Sequence, residues 1–175
     1  LDAIVMAAAH GVDRASLEYP VRAGLILMMD RAFPPELNAA IVERAIRFRD
    51  RGVVAIDIGG PRPRGTGAPW PYRDLEPLVG RARDAGLGVT LHAGEEGVSA
   101  PDPGPYVEEM RQALRLGVDR IGHGIIAAYD PGLTEEVLRR GVALEICPTS
   151  NIRTGAVRDE EQMAEIVFGL QSAGV

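Results

Sequence analysis

Histidine is rare in this 175-residue chain, occurring three times, and two of the three stand in settings built for chemistry. The first is in TLHAGEEG, residues 90–97. In an extended run, Thr90 and His92 share one face while Val89 and Leu91 share the other, so one face packs and the other presents His92. Ala93 and Gly94 have little side-chain bulk, and a sharp turn there brings Glu95 back over the same strand end. An imidazole and a carboxyl converging at one mouth suit a metal ligand beside a general acid. The second histidine, His123, lies between Gly122 and Gly124 in RIGHG. Taken alone, each histidine equally fits a loop residue satisfied by hydrogen bonds.

Further polar groups sit in apolar runs. Asp57 in VVAIDIGG precedes Gly59 and Gly60, whose bare backbone can offer an N–H to a ligand. Glu145 in LEICPTSN must be paired or functional, because a lone charge in an apolar strand is costly. Cys147, on the same face as Glu145, reads as a small buried hydrophobe. Ser150 and Asn151 read as turn formers, or as groups that orient a neighbouring side chain.

The elements that must position these residues alternate in type. Residues 1–19, 34–52, 72–86, 104–116, 132–141 and 159–174 read as helices, and 21–29, 53–60, 88–95, 120–124 and 142–148 as strands. Roughly five strands and six helices in alternation predict a parallel sheet with helical crossovers. The first strand lacks a Gly-rich dinucleotide fingerprint. The chemistry-bearing residues recur at the C-terminal ends of several strands, which favours a (β/α)8 barrel over a doubly wound sheet. Five strands do not close such a barrel, so the expected fold is an incomplete α/β barrel forming one partial domain over residues 1–175. The first residue is Leu1, and the chain is expected to be a segment of a longer protein.

Composition narrows the function. The net charge of −6 argues against a nucleic-acid polymer as the main partner. All 19 basic residues are arginines, which removes Schiff-base lysine chemistry and the P-loop lysine. A single cysteine fits a reducing compartment, and the expected location is the cytoplasm. It also excludes the paired-cysteine zinc site of cytidine deaminases. No apolar stretch approaches a membrane span, so no membrane partner is expected. The residues leave the oligomeric state open.

Four strand-end motifs in this order, VVAIDIGG, TLHAGE, DRIGHG and LEICPTSN, resemble the adenosine deaminase family of metal-dependent hydrolases, over roughly residues 21–175. That resemblance implies strands three to seven of the barrel and a zinc-dependent hydrolysis of adenosine to inosine and ammonia, with a small purine nucleoside as partner. It implies that His92 is a Zn2+ ligand, that Glu95 protonates the purine ring, and that His123 orients or deprotonates the attacking water. Gly60 corresponds to the glycine whose N–H meets the purine, with Asp57, Ser150 and Asn151 in supporting places. The family's His-x-His pair and terminal aspartates are absent, and Pro61 replaces an acidic residue; the other zinc ligands are expected outside the chain, and the segment alone is expected to be inactive. His10 is isolated and reads as a helix-end residue. Related 6-aminopurines, adenine or aminodeoxyfutalosine, stay open as substrates. A phosphate-binding barrel lyase or isomerase, gripping its ligand through Arg62 and Arg64 of GGPRPRGTG, and an inactive remnant are the rival readings.

Overall fold

A computed structural model describes residues 2–61 and 72–175. They belong to two compact units, one drawn from residues 1–62 and 75–89, the other from residues 63–74 and 90–175.

The first unit contains α1 (Asp2–Glu18), β1 (Leu25–Asp30), α2 (Pro35–Arg47), β2 (Val53–Gly59) and α3 (Glu76–Asp84). β1 and β2 are parallel, with Met28 opposite Asp57 and Asp30 opposite Gly59. α2 begins on Pro35, whose fixed φ and missing N–H suit a first helical position. Arg44 and Arg47 in its last turn both reach the Asp2 carboxylate of α1, at 2.9 and 2.7 Å. Met29, Val42, Ala45, Ile56 and Ile58 form the buried centre. His10 lies exposed in the middle of α1, which corrects its reading as a helix-end residue: the helix continues past it to Glu18.

The second unit contains β3 (Gly88–Ala93) from Thr90 onward, α4 (Gly104–Arg115), β4 (Arg120–His123), α5 (Pro131–Arg140), β5 (Ala143–Glu145), α6 (Pro148–Arg153) and α7 (Glu160–Ala173). β3 pairs with β4, and β4 with β5, both in parallel. The helices return the chain to start each strand from the same end, as parallel pairing requires. Asp130 caps α5 by accepting from Leu133 N–H at 2.7 Å, and Asp159 caps α7 by accepting from Gln162 N–H at 2.9 Å. Leu91, Met110, Leu114, Ile121, Ile126 and Ile166 are fully or almost fully buried.

Alternating strands and helices with parallel pairing make this an α/β fold. Two local readings change. The last strand stops at Glu145, and Pro148 opens α6, so Thr149, Ser150 and Asn151 are helical, not a turn. Proline is tolerated in a first helical turn because its missing N–H has no partner to lose there. Cys147 is half-buried with its Sγ on the Glu145 carbonyl, which corrects its reading as a core hydrophobe. Among the described residues no helix is long and apolar enough to cross a membrane.

Candidate active site

The C-terminal ends of β3 and β4 come together through an unusual stretch of backbone. Ala93 and His123 are paired residues at those ends, and the Ala93 carbonyl accepts from Gly124 N–H at 2.9 Å. Gly94 then takes a left-handed conformation, φ +67°, and its carbonyl accepts from Ile126 N–H at 3.1 Å. A Cβ on Gly94 would lie 2.8 Å from Ile126, 2.9 Å from the Met110 sulfur and 3.2 Å from the Gly124 backbone. Only glycine fits so close an approach, and the turn it permits carries Glu95 toward the end of β4.

His123 is itself left-handed, with φ +66°, the only non-glycine with positive φ among the described residues. This conformation costs a residue with a Cβ about 1–2 kcal/mol. Such strain persists where the surroundings over-determine the geometry, and it concentrates at functional positions. The His123 side chain is buried, with its ring beside that of His92.

The three side chains converge. The His92 and His123 rings are 5.6 Å apart between centroids and tilted by 60°. His92 lies over Gly122, where a Cβ would come within 3.3 Å of the imidazole. His123 Nε2 faces Glu95 Oε2 at 3.6 Å, within ion-pair range when the imidazole is protonated. The Glu95 side chain is about one third open to solvent (31%), and its Oε1 accepts from the Thr154 hydroxyl at 3.2 Å.

α6 supplies the other contact to the histidine. Asn151 is completely buried, and its Nδ2 lies 3.1 Å from His123 Nδ1. Ser150, by contrast, is exposed and contributes its carbonyl to Thr154 N–H at 2.8 Å. Sequence reasoning missed Thr154 altogether. It carries no motif signal, and its place follows from the length of α6. Glu145 is paired, accepting from Arg120 Nε.

A buried carboxyl lies below the histidine strand. Glu109 of α4 is fully buried and accepts from the Tyr72 hydroxyl at 2.8 Å, while the same hydroxyl approaches the His92 carbonyl at 3.4 Å.

In the first unit, Asp57 is buried on β2. Gly60, just beyond β2, has φ +95°, and its carbonyl accepts from Arg31 Nη1 at 3.1 Å. Arg62 and Arg64 lie outside the described residues.

The fit of a metal can be tested on the donors. Among the described residues, no group of three or more His, Cys, Asp or Glu is placed to hold one ion. A catalytic zinc takes three protein ligands and an open position. His92 offers one imidazole, so these residues do not make a zinc site by themselves.

The chain is similar to known proteins. The adenosine deaminase family profile matches residues 1–166. An aminodeoxyfutalosine deaminase from Acidothermus cellulolyticus is 43% identical over 152 residues, covering 86% of this chain and 41% of that protein. An adenosine deaminase from Shewanella denitrificans is 34% identical over 158 residues, covering 90% and 44%. The crystal structure of an amidohydrolase from Burkholderia ambifaria with bound Zn is similar with TM-score 0.73 and 25% identity, over 94% of this chain and 43% of that one. The chain therefore spans about two fifths of the length of the curated relatives it matches, 41% and 44% for the two given. The element order and parallel pairing are those of part of a (β/α)8 barrel, the fold class expected from the sequence.

Proposed function

The chain belongs to the adenosine deaminase family, and from that premise we propose that it carries the acid and the water-handling histidine of a hydrolase that deaminates a 6-aminopurine, adenosine first among the candidates. The reaction is 6-aminopurine plus water giving 6-oxopurine plus ammonia. Glu95 delivers a proton to the ring nitrogen beside C6, which makes C6 electrophilic. His123 holds the water for addition to C6. One proton of that water passes to the amino group, the C6–N bond breaks and ammonia leaves, and the proton remaining on the new C6 oxygen returns to Glu95. The observation that carries this reading is the convergence of His92, Glu95 and His123 at two adjacent strand ends, with Glu95 Oε2 3.6 Å from His123 Nε2.

Zinc is the proposed metal, with His92 as one ligand. A bound zinc lowers the pKa of its water to about 7, supplying hydroxide at neutral pH. One donor does not hold such an ion, and the chain matches only part of each relative. The remaining ligands are accordingly proposed to come from chain outside residues 1–175, which makes the segment alone inactive. Gly60 is the proposed purine contact through its N–H, and Asp57 of β2 is proposed as a supporting residue. The proposed substrate is a small purine nucleoside, and the location is the cytoplasm, supported by the single cysteine. Adenine and aminodeoxyfutalosine are the alternative substrates, the latter favoured by the 43% identity to a relative of that name.

The test is ammonia release from adenosine, adenine and aminodeoxyfutalosine by the whole zinc-loaded protein containing this chain. Turnover of one of them is the expected result, and release from none would overturn the reading.

A further inference from the structure

Asn151 is an expensive residue to bury. Its side chain is fully enclosed, its Nδ2 meets His123 Nδ1 at 3.1 Å, and its Oδ1 has no hydrogen-bond partner among the described residues. A buried amide with half of its bonding capacity unused is destabilising relative to an apolar side chain of the same shape. Packing therefore does not account for it, and the contact it does make is to the strained histidine.

We infer that Asn151 is the positioning residue for His123 and holds its neutral ring in the tautomer that carries the hydrogen on Nε2, facing Glu95. The inference rests on the proposed role of His123 and decides between the two forms of that role. An amide NH2 donates, so the Nδ1 it meets must present a lone pair, and the ring hydrogen is then on Nε2. On the other side of the ring, Nε2 looks toward Glu95 Oε2 at 3.6 Å, where an N–H is compatible with the carboxyl both as an ionised carboxylate and through the carbonyl oxygen of the protonated acid. The Thr154 hydroxyl donates to the other oxygen of the same carboxyl at 3.2 Å. α6 and the residue that ends it thus hold both groups, Asn151 on the imidazole and Thr154 on the carboxyl. In this tautomer the resting His123 offers a donor to a water oxygen and orients it; it has no free lone pair on that side with which to take a proton. The reverse amide orientation, with Oδ1 accepting from Nδ1–H, would place a lone pair on Nε2 and make the resting histidine a base.

The experiment is long-range 15N–1H correlation of the histidine side chains in the full 175-residue chain, above the pH at which imidazoles are charged. The expected result is His123 with its hydrogen on Nε2. Asn151→Asp, which can only accept, should move the hydrogen to Nδ1, and Asn151→Leu should give a mixture. Exposed His10 is the internal reference and should not change. A wild-type His123 carrying its hydrogen on Nδ1 would overturn the inference, and so would the same His123 tautomer in wild type and both variants. If Asn151→Leu fails to fold, the wild-type and Asn151→Asp spectra decide. No substrate is involved, so this outcome is independent of whether the whole protein deaminates purines.

Discussion

His123 Nε2 and Glu95 Oε2 face each other at 3.6 Å across the ends of two neighbouring strands, although the two positions lie 28 apart in the chain. Two local features make the approach possible. Gly94 turns the chain left-handed after β3, and His123 does the same at the end of β4. The facing groups are the proposed acid and the histidine proposed to hold the water, which is why their substitutions should have separable effects.

In the whole protein, Glu95→Gln should keep the shape and any bound metal while removing the proton donor. Deamination should fall on the order of 10²–10⁴-fold, the usual contribution of general acid–base catalysis. His123→Ala should lose rate with metal retained, and His92→Ala should lose both. Adenosine turnover paired with metal analysis reads all three. Near-normal turnover in Glu95→Gln would remove Glu95 from the acid role.

Zinc binding by the 175-residue chain should be weak, because His92 is one donor where a catalytic site needs three. Isothermal calorimetry is the direct measurement. A tight one-to-one site would show that these residues complete a metal centre that their geometry here does not contain.

Gly94→Ala should destabilise the fold strongly. The added methyl would meet Ile126, Met110 and the Gly124 backbone at 2.8 to 3.2 Å, in a conformation already unfavourable for alanine. Overpacking and left-handed strain together amount to roughly 2–5 kcal/mol. Urea denaturation checks this, and an unchanged midpoint would mean that the turn relaxes freely.

Tyr72→Phe should also cost stability, about 1–3 kcal/mol, because it removes a donor from a carboxyl with no solvent exposure, Glu109. The same change should loosen the His92 carbonyl, which the hydroxyl approaches at 3.4 Å. Amide exchange in β3 and β4 would report the second effect; protection equal to wild type would confine the role of Tyr72 to α4.

Acid should fray α7 from its start. The Gln162 N–H, and next the Arg158 guanidinium, hold the Asp159 carboxyl below its ordinary value. A lowered folded value means that the cap contributes fully above the usual aspartate range, about pH 4, and is lost as pH falls through the lowered value. Exchange of the Gln162 amide should accelerate on that descent. Exchange that is indifferent to acid, or already fast at neutral pH, would show that the cap does not hold the helix.

The alternation of elements was legible in the sequence because strand and helix have different hydrophobic periods. A short apolar run such as GVTLHA and an amphipathic one such as YVEEMRQALR announce their own structures. The residue types at the strand ends were legible for a related reason: an apolar strand has no use for His92, Glu95 or His123. The tertiary structure alone decided how they are held. Ser150 and Asn151 read as turn formers from local propensity, yet packing continues the chain from Pro148 into α6, which buries Asn151 on His123 and leaves Ser150 outside. Likewise no pattern marks His123 as left-handed or Thr154 as a partner of Glu95. Those facts depend on where distant segments meet, and a side chain's hydrogen-bond partner across 28 or 59 residues is set by that meeting and not by its neighbours in the chain.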